Sequence, residues 1–566
     1  MGIFVEAESF KNLGGWGVDQ QSLRQMGSAY LIAHGNGIPV EDAETKIEVP
    51  EFGTWHVWVR TRDWTAIWGR GSPGGVFQLL VNGAALPSIL GTNGTKWDWQ
   101  KAGAVTLREG KASLALHDLT GFNGRCDAIY LTKDASFTPP NGKDELATFR
   151  DGELGIVLKD DPVEYDLVVA GGGVAGVCTA VSAIRSGLKV VILQDRGVLG
   201  GCNSSEIRVG LGGMFHSEPY MNLGNVVKEI APIFGGHGTY SGEFFEDSRK
   251  ANIFRLHEKD GNRLILNHHV VEVETAPDDP QRIVSVIAVS TLTGERTRFK
   301  GKQFADCTGD ALLARALGCE YMYGTESRDT FNESLAPVKG SNQVMGQTLT
   351  WRSSVLEDVE PFPEIDWGHE INETNAYFVR GGDWEWESGQ YRDHAEEAEY
   401  IRDYGLMTIF TNWSFLKNRS GRKDEWANAK LEWISPIGGK RESYRVVGDL
   451  ILTQNHIEDF EQFPDRSAAM TWDIDLHYPD PDNEAMFKEP FRSCAYHRGI
   501  EKPFPVPYRC LYARDVKNLL LGGRHISVSH VALACVRVMK TLGALGEVIG
   551  MAASISVKEN CDPRDV

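Results

Sequence analysis

The rhythm of hydrophobic and polar positions changes near residue 160. Before it, apolar residues alternate with polar ones in short runs, for example Trp55-His56-Val57-Trp58-Val59-Arg60, Phe77-Gln78-Leu79-Leu80-Val81 and Ala112-Ser113-Leu114-Ala115-Leu116. Gly, Asn and Pro turns separate them, which predicts half-buried strands packed as a β-sandwich. After it, Tyr165-Asp166-Leu167-Val168-Val169-Ala170 forms an apolar run of strand length. Val174 to Gly187 then carries helical spacing, and Lys189-Val190-Val191-Ile192-Leu193 reads as a second strand. The polar, Pro- and Gly-broken stretch between the two textures, residues 138–162, predicts a linker.

Strand, glycine corner, helix and strand in that order match a dinucleotide-binding βαβ fingerprint, and each glycine has a separate reason to be there. Gly171 permits the tight turn, Gly173 has no Cβ to hold a diphosphate off the backbone, and Gly176 lets the helix approach the strand. The amides of Val174, Ala175 and Gly176 open the helix without intrahelical partners, at the positive end of its dipole, where two phosphates can be received. Gln194, at the end of the second strand, is the expected partner of the ribose hydroxyls; Asp195 is the carboxylate alternative one residue on, and Arg196 follows.

The 566 residues exceed what one core holds, so two or three domains are expected. No unbroken apolar run is long enough to span a bilayer. The N-terminus shows no secretion signal, so the expected location is cytoplasmic, or periplasmic if a signal was removed. A net charge of −20 argues against nucleic acid as a partner. Nine cysteines lie without zinc-type spacing; Cys202, in Gly200-Gly201-Cys202-Asn203, is the one expected near a cofactor.

Two further segments carry glycine corners. One is Phe304-Ala305-Asp306-Cys307-Thr308-Gly309-Asp310, reached through strands at Leu264 to Leu266, Val270-Val271-Glu272-Val273 and Ile283 to Ser290. The other is Leu519-Leu520-Leu521-Gly522-Gly523-Arg524-His525, followed by a long helix expected from about Ala532 to Ser554. The first resembles the Thr-Gly-Asp signature of two-dinucleotide-binding-domain flavoproteins, and the second the way those proteins close the FAD site. Gln194-Asp195-Arg196, Gly200-Gly201, Ser204-Ser205-Glu206-Ile207-Arg208, Arg441-Glu442-Ser443-Tyr444-Arg445 and Pro507-Tyr508-Arg509 resemble the bacterial FAD-dependent oxidoreductase family often found beside polysaccharide-degrading enzymes. Tyr444 stands where that family's pattern has a second Arg, and Cys202 where it has Asn or Thr.

The resemblance implies an α/β fold: a Rossmann-type, three-layer, glutathione-reductase-like FAD domain with an inserted substrate region, behind an all-β sandwich. Its expected parts are 1–137 sandwich, 138–162 linker, 163–320 first FAD part, 321–510 substrate region and 511–566 completion. The cofactor-binding set it implies adds Ser204, Val271, Thr308, Gly309, Asp310, Gly523 and Arg524 to the residues above. Residues 1–137 resemble carbohydrate-binding modules that open with Glu-x-Glu and close with Asp-x-Ile, here Glu6, Glu8 and Asp127. That likeness implies a structural calcium on these three; on the residues alone, Glu6 and Glu8 are outward positions of an edge strand. Trp64, Trp68, Trp97 and Trp99 can stack on a sugar or pack against the neighbouring domain.

The function implied is oxidation of a carbohydrate hydroxyl by hydride transfer to flavin N5, with a base within reach of the substrate. His530, one turn or less before the terminal helix, is the first choice of base, with His525 next. Asp475 and His477 on one face of an alternating stretch, Tyr496-His497-Arg498, and Arg441-Glu442 are further candidates. A redox-neutral lyase, isomerase or hydrolase holding FAD, and a non-catalytic carbohydrate-binding protein, are the competing readings. The electron acceptor and the oligomeric state stay open.

Overall fold

The computed structural model describes residues 2–69, 71–230 and 242–566. The first part is a sandwich of two four-stranded antiparallel sheets. One runs Ile3–Glu6, Ala128–Thr132, Gly53–Thr61, Asp98–Leu107, and the other Ala43–Val49, Gly110–Asp118, Phe77–Val81, Ala84–Ala85. Alternation decides which side chains meet: Trp55, Val57 and Val59 of one sheet and Leu114, Leu116 and Leu79 of the other share a single buried core. A small ribbon at one end carries Gly17–Asp19 and Tyr30–Ile32, joined through a four-residue helix, α1 (Leu23–Met26).

The stretch read as a linker contains a helix, α2 (Lys143–Leu154), with Asp144 and Glu145 in its first turn and Gly155 in the left-handed conformation at its end. α2 inserts Arg150 among the acidic residues of the sandwich, which overturns the calcium expectation for Glu6, Glu8 and Asp127. Arg150 Nε lies 2.5 Å from Glu6 and its Nη2 3.2 Å from Asp127, while Arg60 lies 2.8 Å from Asp127. Burial raises the Glu6 carboxyl to about 8 and pushes Glu8 well up, whereas a hard cation needs ionised ligands. Among the described residues no group of three or more His, Cys, Asp or Glu is arranged to hold a metal.

The second part is built on one mixed sheet. Its parallel strands are β1 (Leu158–Ala170), β2 (Val190–Leu193), β3 (Arg263–Ile265), β6 (Arg296–Asp306) and β7 (Leu519–Leu521), in the order β3-β2-β1-β6-β7. β4 (His268–Ala276) and β5 (Asp279–Ser290) add an antiparallel meander on β6. Toward their C-terminal ends the parallel strands β1, β2 and β7 are apolar on both faces where helices cover them, among them α3 (Val174–Arg185), which packs along the C-terminal helix. Tyr165, Val168, Ile192, Phe304 and Leu520 belong to this core. A third core, rich in tryptophan, surrounds α5 (Ala398–Asn418), and sandwich residues Trp64 and Phe122 belong to it.

The single terminal helix expected from Ala532 is two helices, α6 (His530–Val536) and α7 (Met539–Glu559). The chain is extended at Val538 (φ −67°, ψ 141°), and the Lys540 amide donates to Gly212 O instead of continuing a helical ladder. No helix among the described residues is long and apolar enough to cross a membrane.

Candidate functional site

Where β1 ends, Gly171 adopts φ +98°, and a Cβ there would lie 2.3 Å from Cys307 O. Gly176 has the packing role expected of it: a Cβ would come within 2.0 Å of Gly171 O. Gly173, the N-cap of α3, is different. A Cβ on it would meet nothing within 4 Å, and no side chain caps the helix. Uncapped amides therefore face open space, the cradle a diphosphate requires.

That space belongs to a continuous cavity of about 520 Å³ lined by all three glycine corners. Of the expected cofactor residues, Gly171, Gly173, Val174, Ala175, Gln194, Asp195, Arg196, Gly200, Gly201, Cys202, Thr308, Gly309, Asp310, Gly523 and Arg524 line it. Gly176, Ser204 and Val271 do not. Ser204 is fully buried and donates to Gly201 O, and Val271 falls in a bulge of β4 where Val270 and Glu272 hold the ladder, so Val270 reaches the cavity in its place.

Gln194, the expected partner of the ribose, lines the cavity and also has partners within the protein. Its Oε1 accepts the Gly172 amide at 2.7 Å and its Nε2 donates to Val198 O at 3.1 Å, so the side chain helps shape the turn. Asp195 keeps a half-exposed carboxylate on the cavity. Burial would raise it, but the His269 and Arg196 side chains hold it below its ordinary value. At the next corner, burial of Asp310 is outweighed by Lys440 Nζ at 2.6 Å and Arg524 Nη2 at 2.7 Å, which hold its carboxyl well below the usual range. Arg524 Nε is buried without a hydrogen-bond partner.

At the other end of the cavity a two-stranded ribbon, Ile474–Pro479 against Ser493–Arg498, sets Asp475 opposite His497 and His477 opposite Ala495, and these four residues all line the cavity. Asp475 Oδ1 lies 3.4 Å from His497 Nε2 and 3.2 Å from His477 Nε2, and its Oδ2 accepts from Trp472 Nε1 and Arg537 Nη2. Behind it, Glu387 is fully buried against His477 Nδ1 at 2.5 Å, Arg441 Nη1 at 2.8 Å and Ser493 Oγ at 2.7 Å. Burial alone would raise Glu387; Arg441 and His477 bring it down to about 2.

The structure brings Arg441, His477 and His497 together and leaves His530 and His525 out. Both of the latter are fully buried and neither lines the cavity. His530 Nδ1 faces Glu442 Oε2 at 2.9 Å, and His525 Nε2 faces Asp306 O at 3.0 Å, so both serve the packing behind the cavity. Their proximity in sequence to a glycine corner is offset by the direction in which α6 starts. It is the α7 end of the helix break, Arg537-Val538-Met539, that reaches the cavity. Lys440 and Arg537 are absent from the expected residues because nothing in the sequence separates them from surface cations.

A family model described as FAD dependent oxidoreductase matches residues 166–566. Over 146 residues, 26% of this chain, the sequence is 28% identical to "Glycerol-3-phosphate dehydrogenase, mitochondrial" of Mus musculus. The chain thus spans about a sixth, 16%, of that relative. A family 35 carbohydrate binding module from Clostridium thermocellum superposes with a TM-score of 0.20 at 14% identity, covering 24% of this chain and 99% of the module. Adenosine-5-phosphosulfate reductase in complex with sulfite gives 0.21 at 18% identity, covering 28% and 32%.

Proposed function

Because the chain belongs to the FAD dependent oxidoreductase family, we propose that it oxidises a secondary hydroxyl of a carbohydrate or sugar derivative, with His497 as the base. The residues present fit the cofactor: the uncapped amides of α3 above Gly173 for the diphosphate, the Asp195 carboxylate for ribose hydroxyls, and the unpartnered Arg524 Nε for an acceptor oxygen. Bound FAD supplies a two-electron acceptor. The observation that carries the reading is that the Asp475, His477 and His497 cluster lines the same cavity as the glycine cradle.

His497 is preferred over His477 on geometry. His477 has a carboxylate oxygen at each ring nitrogen, leaving neither free to accept a proton. His497 presents Nε2 to Asp475 and keeps Nδ1 for the substrate hydroxyl. Asp475 Oδ1, 3.4 Å from Nε2, steadies the charge the ring gains, and Arg537, whose Nε is buried without a partner, offers a donor to a neighbouring substrate oxygen. Trp384 and Trp472 on the cavity wall give faces on which a sugar ring stacks.

Anaerobic mixing with mono- and oligosaccharides, and with glycerol 3-phosphate, tests the reading through the flavin colour. Lasting bleaching with a sugar is the expected result. Product formation with the yellow colour restored would mean a redox-neutral conversion, and bleaching by glycerol 3-phosphate alone would remove the carbohydrate.

A further inference from the structure

The wall of the cofactor cavity is not made by the flavin domain alone. Gln20, Gln21, Arg24 and Gln25, from the sandwich, line it too. Gln20 is only 5% exposed, and its side-chain amide has no hydrogen-bond partner among the described residues. Gln21 Oε1 is likewise buried without a partner, while its Nε2 leans on Asp19 at 3.3 Å. A buried amide oxygen without a partner is costly, so Gln21, beside a Gln20 amide that lines the cavity and bonds no other side chain, marks a place where a ligand completes the bonding.

The loop that carries them is clamped from both sides. Asp19, next to Gln20, accepts from Tyr30 Oη at 2.9 Å and pairs with Arg402 Nη1 of α5 at 2.7 Å. Arg402 Nη1 also donates to Pro436 O, at the head of a cavity-lining loop that ends in Lys440, the partner of Asp310. On the other side Gln25 Nε2 holds Glu396 Oε2 at 3.1 Å, and Glu396 holds Arg315 Nη2 at 2.6 Å. Arg315 lies on α4 (Leu312–Ala316), the helix that follows the Thr308-Gly309-Asp310 corner and packs on β4. Both anchors lead to the Thr308 to Asp310 corner of the cavity.

We propose that Gln20 and Gln21 of the sandwich hydrogen-bond the sugar-like hydroxyls of FAD, so that the sandwich is a fixed wall of the cofactor site. A neutral amide both donates and accepts, which suits the ribose or ribityl hydroxyls of the dinucleotide. The inference rests on FAD occupying this cavity. It deepens that reading by assigning cofactor contacts to a part of the chain that the family match, residues 166–566, does not cover.

The test uses the full-length protein, stripped of flavin and titrated with FAD by fluorescence. Gln20→Met and Gln21→Met keep side-chain length and remove the amide. Each is expected to weaken FAD binding about fivefold to tenfold, and the pair more, at an unchanged flavin-free melting temperature. Gln20→Glu, which keeps an acceptor but loses the donor, should fall between Gln20→Met and wild type and covers the case in which Gln20→Met fails to fold. Unchanged FAD affinity in folded variants overturns the inference, as does weaker sugar binding at unchanged FAD affinity, which would assign the amides to the substrate. Wild-type protein that binds no FAD would sink the cofactor reading along with it.

Discussion

Asp475 is shared between two histidines, and that sharing separates the roles of residues which look alike in sequence. His497 has one nitrogen on Asp475 and one to spare, so His497→Ala should lower kcat by about 10²- to 10⁴-fold, with FAD affinity and melting temperature retained. His530→Ala should do the reverse, lowering the melting temperature by removing one of the partners of buried Glu442 and leaving a cavity, while the folded fraction keeps most of its activity. Equal losses of kcat in the two variants would contradict the assignment. Glu387 adds a pH signature. Its carboxyl falls from an ordinary 4.5 to about 2, so the stability it contributes is complete above about 4.5 and is lost as pH drops toward 2. Glu387→Gln should therefore be less stable than wild type at neutral pH, by roughly a few kcal/mol, and the gap should close between about pH 4.5 and 2 in thermal melts. A gap that stays constant across that window would mean that the ion pairs with Arg441 and His477 are not what holds Glu387 charged.

Along α3 the glycines divide into those the fold needs and those the ligand needs. Gly176→Ala puts a methyl 2.0 Å from the Gly171 carbonyl and should cost about 1–3 kcal/mol, read as a lower melting temperature of the flavin-free protein. Gly173→Val meets only open space at an ordinary φ of −64°, so the flavin-free protein should melt as wild type does, while FAD binds about 10- to 100-fold more weakly for want of access to the charged-group hydrogen bonds at the helix start. This division is legible in the amino-acid sequence by itself, because strand, turn and helix lie within some thirty consecutive residues and each obeys a local rule. The alternating strands of the sandwich are legible for the same reason. The break at Val538 is not: Val536, Arg537 and Val538 interrupt no apolar stripe, and the helix ends there because Arg537 turns to Asp475, more than sixty residues away, and Lys540 to Gly212. Helix α2 is hidden by its polarity, since of the two side chains it buries, Leu146 and Arg150, one is an arginine. The bond from the Gly172 amide to Gln194 is not legible either, because it depends on the path of the turn.

At the scale of the whole molecule, buried charges as well as a shared hydrophobic core join the two parts. Arg125 of the sandwich and Arg402 of α5 are both buried and both hold Asp403, at 2.6 Å and 2.8 Å; Arg125 and Tyr30 also hold Glu399, at 2.7 Å and 3.0 Å. Around this network Trp64 donates its N–H to Phe122 O and packs 5.3 Å from Trp367, so this indole, which the sequence leaves open as a sugar platform, is spent on the junction. None of this is readable from the sequence, since each partner looks like a surface charge until α5 closes over it. Desolvated guanidinium groups that share one carboxylate tolerate its loss poorly. Asp403→Ala should therefore cost about 3–5 kcal/mol. The form of the loss is more telling than its size. If the network is what couples sandwich and flavin domain, wild-type protein should unfold in one calorimetric transition, and Asp403→Ala should split it into two, with FAD shed at the lower one because the loop bearing Gln20 leaves the cavity wall. One transition shifted to lower temperature would mean that the shared tryptophan core suffices to hold the parts together, and that Asp403 matters to stability without deciding whether the cofactor is retained.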